Sequence, residues 1–170
     1  MTDNERLAEL LFPNISWTPQ QYEEQYPARQ LPEGARVTRF SPSPTGYLHI
    51  GGLFAAMTAR LTAKATNGVF FLRIEDTDKK REVEGGVTAI VTGLAAFGIT
   101  PDEGITGLGT ESGVYGPYQQ SKRREIYQCF AKELVRQGLA YPCFCTEAEL
   151  TALREQQAVS YTHLTLPTTS

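Results

Sequence analysis

The spacing of apolar residues changes along the chain, and each spacing predicts a different element. Residues 69–75 are an almost continuous apolar run that ends in charge, which is typical of a strand buried on both faces of a parallel sheet. A shorter strand is predicted over residues 36–40, and a helix over residues 51–66, closed by an Asn-Gly pair, connects the two. Strand, helix and strand in this order predict a right-handed βαβ unit of an α/β fold, whose ligands lie beyond the carboxyl ends of the strands.

Helical spacing also occurs before this unit. Leu7, Leu10 and Leu11 fit one helix, and Thr18, followed by a proline and then by a glutamine at the reciprocal capping position, predicts the start of a second. We expect both helices of residues 1–34 to pack on the domain behind them. This lead-in carries no recognisable pattern of chemically active residues.

Three further features follow the βαβ unit. A helix is predicted near residues 84–97, a long loop over residues 100–120, and a helix from a cap at Ser121 to about residue 137. The apolar stripe of this last helix is predicted to consist of Ile126, Phe130 and Leu134, with Cys129 as a small core residue. After it come a predicted strand over residues 139–145 and a helix to about residue 157, which begins with a capping box at Thr146.

Composition limits the location and the partners of the protein. The chain has 170 residues, of which 41% are hydrophobic, and this suits one domain or one domain and the start of another. The net charge of −3 argues against a general nucleic-acid binder but allows a local basic patch. No apolar run approaches the length of a membrane span and the N-terminus has no export pattern, so we expect a cytoplasmic protein without a membrane partner.

The connection between the first predicted strand and the helix has a specific chemical pattern. Residues 39–52 read Arg-Phe-Ser-Pro-Ser-Pro-Thr-Gly-Tyr-Leu-His-Ile-Gly-Gly. A strand–loop–helix turn leaves backbone N–H groups unpaired at the helix start, where the helix dipole favours an anion. His49 adds a side-chain donor at the same place, so we expect a phosphate or carboxylate site. The alternative is a tight turn without a ligand.

A group of three carboxylates follows the second predicted strand, in the sequence Glu75-Asp76-Thr77-Asp78. Because the carboxyl ends of parallel strands meet at one edge of a sheet, Glu75 and the segment that begins at Arg39 should share a rim. The alternative is that Thr77 or Asp78 only caps the helix that follows. Both roles can coexist, since one helix cap does not need all three carboxylates and the threonine hydroxyl.

These two segments resemble known signatures. Residues 39–49 are similar to the first signature of class I aminoacyl-tRNA synthetases, in the version of the glutamate and glutamine members, and residues 73–78 are similar to a second hallmark of that subgroup. Gly-Pro-Tyr-Gln-Gln-Ser at residues 116–121 resembles a third motif, in which arginine is more usual than Gln119. The second histidine of the first signature is replaced by Gly52, which leaves His49 as the only imidazole within this signature.

The resemblance covers residues 36–157 and implies the first half of a Rossmann-like nucleotide-binding fold with the start of an inserted acceptor-binding α/β domain. The implied division is a helical N-terminal extension over 1–34, the first half of the catalytic domain over 35–118, and the beginning of the inserted domain over 119–157. Residues 158–170 are uncharged, rich in threonine and unlike the family at this place. We interpret them as a foreign or misread tail and do not count His163 as a site.

Roles for single residues are implied by the same resemblance. Glu75 is expected to bind the α-amino group of glutamate and Arg39 its side-chain carboxylate, with Ser41 and Ser43 as further donors. An ammonium group in a desolvated pocket requires a fixed carboxylate, and a guanidinium binds a carboxylate through two hydrogen bonds. The residues implied in ATP binding are Ser43, Pro44, Thr45, Gly46, His49, Gly51 and Gly52, with His49 as the catalytic residue.

Two compact basic clusters, at residues 79–81 and 122–124, have two interpretations. They are either solvated faces or contacts to the phosphates of a tRNA acceptor stem. The resemblance implies that Asp78 and Arg81 lie near the terminal adenosine of the tRNA.

Cys143 and Cys145 are candidate zinc ligands, because some bacterial members of the family have Cys-x-Cys here. A structural site needs four ligands, and the cysteine and histidine that complete it in those members are not found at the expected spacing. Two ordinary thiols are therefore the preferred interpretation. Zinc is left open for a longer parent protein.

The implied reaction has two steps. ATP, with magnesium, activates the α-carboxylate of L-glutamate to an acyl-adenylate, and the terminal ribose of the tRNA then attacks it; the parent enzyme is expected to be a monomer. The family's second signature, a lysine-serine-lysine loop, is absent, so the 170 residues are predicted not to complete aminoacylation alone. Alternatives are the glutamyl-queuosine-type paralogue that modifies a base in tRNA, a glutaminyl enzyme, and a non-catalytic nucleotide- or RNA-binding relic.

Overall fold

Four strands in the described part of the chain form one sheet, in which they are neighbours in their order along the sequence. The computed structural model describes residues 1–46, 48–107 and 109–160, with side chains to Gln157. The strands are β1 (Val37–Phe40), β2 (Val69–Leu72), β3 (Glu103–Gly107) and β4 (Thr110–Ser112). The pairs β1–β2 and β2–β3 are parallel and β3–β4 is antiparallel. The predicted α/β fold with a parallel sheet is therefore confirmed.

Six α-helices lie in the described part of the chain. They are α1 (Asp3–Leu11), α2 (Pro19–Gln25), α3 (Ile50–Ala65), α4 (Gly86–Ala96), α5 (Arg124–Arg136) and α6 (Glu147–Ser160). A short 3-10 helix, Gln120–Arg123, leads into α5. The predicted capping boxes of α2 and α6, at Thr18 and Thr146, are present, and α1 also begins with a capping box, at Thr2. None of the helices in this part of the chain is both long and apolar enough to cross a membrane.

The core lies between the sheet and the helices α3 and α4. Phe70 and Leu72 of β2 are fully buried together with Ile90 and Leu94 of α4. The other face of β2 is only half-buried, so the prediction of a strand buried on both faces is wrong for that face. There Phe71 packs against the ring of Tyr118 with 6.1 Å between ring centroids.

The two N-terminal helices pack on α5 and not on the sheet. Lys132 of α5 is buried between them, where its ammonium donates to Glu9 and to the carbonyl of Ile15, both at 2.8 Å. Because a lysine supplies part of the buried face, the apolar stripe predicted for α5 is misplaced. Phe130 and Leu134 remain 41% and 45% exposed, whereas Cys129 is buried as predicted.

Several other boundaries also differ from the sequence prediction. The predicted loop over residues 100–120 contains the hairpin of β3 and β4, whose first residue, Glu103, is anchored by a two-pronged ion pair with Arg29, 74 positions away. Residues 139–145 form no strand, so the strand predicted there is wrong. Helix α6 continues to Ser160, into the predicted tail; His163 and the remainder of that tail lie outside the described residues.

Candidate active site

The loop after β1 and the start of α3 form the centre of the candidate site. His49 is the N-cap of α3, and its Nδ1 accepts hydrogen bonds from the N–H groups of Gly51 at 3.1 Å and Gly52 at 3.4 Å. An N-cap acceptor satisfies the backbone donors that a helix start otherwise leaves unpaired. The histidine that was expected beside them thus occupies these two N–H groups here, and ATP binding by Gly51 and Gly52 stays a prediction.

This cap determines which ring nitrogen of His49 can meet a ligand. A neutral imidazole carries one proton, and a nitrogen that accepts hydrogen bonds is the one without it. With Nδ1 turned inward as acceptor, the proton lies on Nε2. The His49 side chain is exposed, so Nε2–H is a donor at the mouth of the site.

An open cavity of about 420 Å3 lies beside this cap. Its wall combines residues from β1, the following loop, α3 and α4. The lining residues are Phe40, Pro42, Ser43, Thr45, Gly46, Leu48, His49, Gly52 and Ile90. Five of the seven residues predicted for ATP therefore share one cavity, while Pro44 and Gly51 do not line it.

Pro44 has a supporting role in the loop. It is fully buried, and its carbonyl accepts the N–H of Val83 at 2.9 Å. Gly86, the first residue of α4, lies against it, and a Cβ at that position would come within 2.8 Å of the Pro44 oxygen. The start of α4 thus requires a residue without a side chain so that the loop can rest on it.

The predicted rim is present at the ends of β1 and β2. Glu75 N–H donates to the carbonyl of Pro42 at 3.0 Å. The Glu75 carboxylate is held through Oε1 by Arg73 at 3.0 Å and more loosely by Arg39 at 3.8 Å. Its Oε2 receives no hydrogen bond from any described residue, and Nε of Arg73 is buried without a partner among them. Arg73 was not predicted as part of the site, although its place two residues before Glu75 on the same strand end indicates it.

The predicted group of three carboxylates is separated by the fold. Glu75 faces the rim, Asp78 pairs outside with Arg81, and Asp76 is buried.

Asp76 accepts hydrogen bonds from the Ser121 N–H at 2.8 Å, the Ser121 hydroxyl at 2.6 Å, Gln119 Nε2 at 2.8 Å and Lys79 Nζ at 3.2 Å. Ser121 is thus a partner of Asp76 and not the predicted helix cap. This connection was missed from the sequence, and Thr77 and Asp78 do not cap α4, which begins at Gly86 after Gly85.

Burial alone would raise the pKa of Asp76, but the hydrogen bonds from Ser121, Gln119 and Lys79 outweigh it and lower the pKa from 3.8 to about 2. A carboxylate whose pKa is lowered by folding stabilises the fold above its unfolded pKa and loses that contribution as the pH falls through its folded pKa. The contribution of Asp76 is therefore complete above about pH 4 and is lost towards about pH 2.

We expect the free energy of unfolding to show this loss. A shift of this size corresponds to about 2 kcal/mol. Urea unfolding of the chain and of Asp76→Asn, measured from about pH 5 to about pH 2.5, should give a stability difference that narrows by most of that amount. A difference that stays constant over this range would show that Asp76 is not a lowered-pKa group.

The two basic clusters are only partly solvated. Lys79 pairs with Asp76 and Glu82, and Arg123 donates to the carbonyls of Tyr115 and Pro117. Arg81 is largely exposed, and its hydrogen bond lowers the pKa of Asp78. The pair Asp78–Arg81 is thus a preformed surface feature on the outer side of the rim.

The described residues do not fit a zinc site. Cys143 and Cys145 are both exposed. Within the described ranges no group of three or more histidine, cysteine, aspartate or glutamate side chains is arranged to hold a metal ion. Two thiols alone leave a structural zinc site half-complete.

Known proteins resemble this chain closely. Residues 36–166 match the family described as tRNA synthetases class I (E and Q), catalytic domain, a range that reaches into the predicted tail. The glutamate–tRNA ligase of Clostridium perfringens strain 13 is 56% identical over 153 residues, which are 90% of this chain and 28% of that protein. That of Acetivibrio thermocellus is 53% identical over 156 residues, again 28% of its length.

Solved structures agree with the sequence relatives. The glutamate–tRNA ligase of Elizabethkingia meningosepticum, crystallised in complex with its amino acid, has a TM-score of 0.63 and 41% identity over 75% of this chain and 24% of its own. The enzyme of Elizabethkingia anophelis has a TM-score of 0.64 and 42% identity. The chain thus spans about a quarter of the length of the relatives that it matches. On this match of sequence and fold, the chain belongs to the class I tRNA synthetases of the glutamate and glutamine type and corresponds to part of their catalytic domain.

Proposed function

We propose that the protein to which this chain belongs ligates L-glutamate to tRNA at the expense of ATP, through a glutamyl-adenylate. One observation carries this proposal: a cavity with a histidine N-cap at its mouth lies beside a rim where an arginine and a glutamate converge. The first element suits a phosphate chain and the second suits an amino acid. Relatives named glutamate–tRNA ligase support the choice of glutamate.

Glutamate would bind at the rim through charges of opposite sign. Arg73 fixes Glu75 from behind through Oε1, which leaves Oε2 for the α-ammonium group of the substrate. Arg39, whose side chain is 42% exposed and only 3.8 Å from Glu75, can rotate to bind a carboxylate through two hydrogen bonds. Ser43, which is exposed beside the cavity, supplies a further donor, whereas Ser41 is half-buried and does not line it.

ATP would lie along the cavity with its phosphates towards the start of α3. His49 Nε2–H then donates to a phosphate oxygen, and the positive end of the α3 dipole acts in the same direction. The reaction needs little proton transfer by side chains, because the substrate carboxylate is already the nucleophile. Rate therefore comes from alignment and from donors aimed at the phosphorus where charge develops.

Magnesium would accompany the triphosphate. The described residues contain no cluster of carboxylates that could hold the ion by themselves, so phosphate oxygens and water would supply most of its ligands. The ion would neutralise phosphate charge, while His49 and the loop hold the nucleotide in place.

The acceptor end of the tRNA would approach from the outer side of the rim, where the pair Asp78–Arg81 lies. Such contacts to phosphate and sugar position the strand without reading its sequence. Residues 119–157 would begin the inserted acceptor-binding domain, after the catalytic half over 35–118 and the extension over 1–34. The reaction belongs in the cytoplasm, where translation takes place, with a monomeric enzyme.

The test is a chimeric ligase, in which the matching 153 residues of this chain replace their counterpart in the Clostridium perfringens enzyme. We expect the chimera to catalyse ATP–pyrophosphate exchange that depends on glutamate and not on glutamine, and we expect no turnover by the isolated chain. A chimera that folds and binds ATP but exchanges pyrophosphate with neither amino acid would contradict the proposal. Exchange with glutamine alone would assign the site to the other member of the subgroup.

A further inference from the structure

We infer that Asp76 is a positioning residue for the two substrates that would bind at the rim, glutamate and tRNA. This inference rests on the proposed function. Its carboxylate joins the rim loop, residues 74–78, to the closing segment, residues 118–121. By this connection it holds Glu75 towards glutamate and Asp78 towards the tRNA. Asp76 itself touches neither substrate.

The backbone already places these two segments side by side. Ile74 N–H donates to the carbonyl of Tyr118 at 2.9 Å, and Gln120 N–H donates to the carbonyl of Ile74 at 2.8 Å, as in a parallel bridge. The bridge stops there, because the rim loop turns away towards Asp78. From this point the side chain of Asp76 continues the connection through Gln119 and Ser121.

The geometry excludes direct contact between Asp76 and a ligand. Its side chain is 0% exposed. Oδ1 accepts the Ser121 N–H, and Oδ2 accepts three donors, from Lys79, Gln119 and the Ser121 hydroxyl. Four donors thus satisfy the carboxylate inside the protein, three of them on the one oxygen Oδ2. A buried charge of this kind is retained only where its partners hold it in one place.

Displacement of Asp76 must pass to its neighbours in the chain. Glu75 is one peptide away and its N–H is fixed to Pro42 on the other side, so Asp76 is one of two anchors that place the Glu75 backbone from which the carboxylate projects. Asp78 is two peptides away on the opposite side. The ATP cavity is supported differently, by the cap of α3 and by the contact of Pro44 with Val83 and Gly86. Replacement of Asp76 should therefore weaken the binding of glutamate and tRNA more than the binding of ATP.

Hydrogen exchange in the 170-residue chain tests the positioning directly. In Asp76→Asn and in Ser121→Ala, the amide protons of Ile74 and Gln120 should exchange about tenfold faster or more, since the connection that protects their hydrogen bonds is weakened. Lys132→Met is the matched control, because it also removes a buried, hydrogen-bonded charge but at the interface of α1 with α5. Unchanged exchange in the first two variants, or an equal change in the control, would overturn the inference.

Kinetics of the chimeric ligase test the consequence. Asp76→Asn should raise the KM for glutamate and for tRNA by about tenfold or more, with the KM for ATP within about twofold of the parent, because a small misplacement of a binding group is costly. Ser121→Ala should produce a smaller change of the same kind, and the double variant should be no worse than Asp76→Asn, since both act through one connection. Equal effects on all three KM values would reduce Asp76 to a stabilising residue. An inactive parent chimera would instead count against the proposed function. The hydrogen-exchange result in the 170-residue chain would then still decide the role of Asp76.

Discussion

Replacement of His49 by asparagine is expected to lower the rate of ATP–pyrophosphate exchange by the chimeric ligase by about a hundredfold to a thousandfold, the usual loss for one donor aimed at developing charge. Asparagine is among the best N-cap residues, and its side-chain oxygen can accept the same N–H groups of Gly51 and Gly52 that His49 Nδ1 accepts. It cannot reach outward as Nε2–H does. The variant therefore removes the donor and keeps the cap.

His49→Ala provides the comparison, because it removes both functions. We expect it to lose as much activity as His49→Asn and, in addition, about 1 kcal/mol of unfolding free energy from the missing cap. Urea unfolding of the 170-residue chain and pyrophosphate exchange by the chimera separate the two effects. If His49→Asn keeps normal activity while His49→Ala loses it, then the cap is what matters and the donor role is wrong.

The elements that the sequence predicts well are those stabilised by neighbours within four residues. The capping boxes at Thr18 and Thr146 each join positions three apart, and the helix α3 follows from its spacing and its closing Asn-Gly pair. The parallel pair β1–β2 is also predicted, because a strand that is followed by a helix and a second strand has one common handedness. The rim of Arg39 and Glu75 follows from that topology alone.

What the sequence does not reveal depends on contacts between distant parts of the chain. Asp76 is 45 positions from Ser121, and nothing local distinguishes it from Glu75 or Asp78 as the carboxylate that is buried. The hairpin of β3 and β4 is likewise anchored by Arg29, far earlier in the chain. At His49 the difficulty is of another kind: the residue pattern does not reveal that Nδ1 of the imidazole accepts the N–H groups of Gly51 and Gly52 in its own helix, which leaves Nε2 as the nitrogen for a ligand.

Glu75 is the second residue whose replacement should strongly lower activity, because it takes part in the ion pairs of the rim. Glu75→Gln keeps the size and one acceptor oxygen but removes the charge that would bind the α-ammonium group of glutamate. Loss of one partner of a desolvated charge pair costs about 2–5 kcal/mol, so kcat/KM for glutamate should fall by about thirtyfold or more. ATP would bind on the other element of the site, so its KM should change little.

Glu82→Gln is the matched control for this variant. Glu82 is also an ion-paired glutamate, with Lys79 at 2.7 Å, and its side chain is 32% exposed against 29% for Glu75. The chemical change and the solvent exposure are thus nearly the same, but Glu82 does not lie at the rim. Steady-state exchange kinetics with varied glutamate should therefore show the loss in Glu75→Gln and near-normal values in Glu82→Gln. If both variants lose activity equally, the loss of negative charge in this part of the chain would explain the result, and the ammonium-binding role of Glu75 would be wrong. If neither variant loses activity, glutamate binds elsewhere.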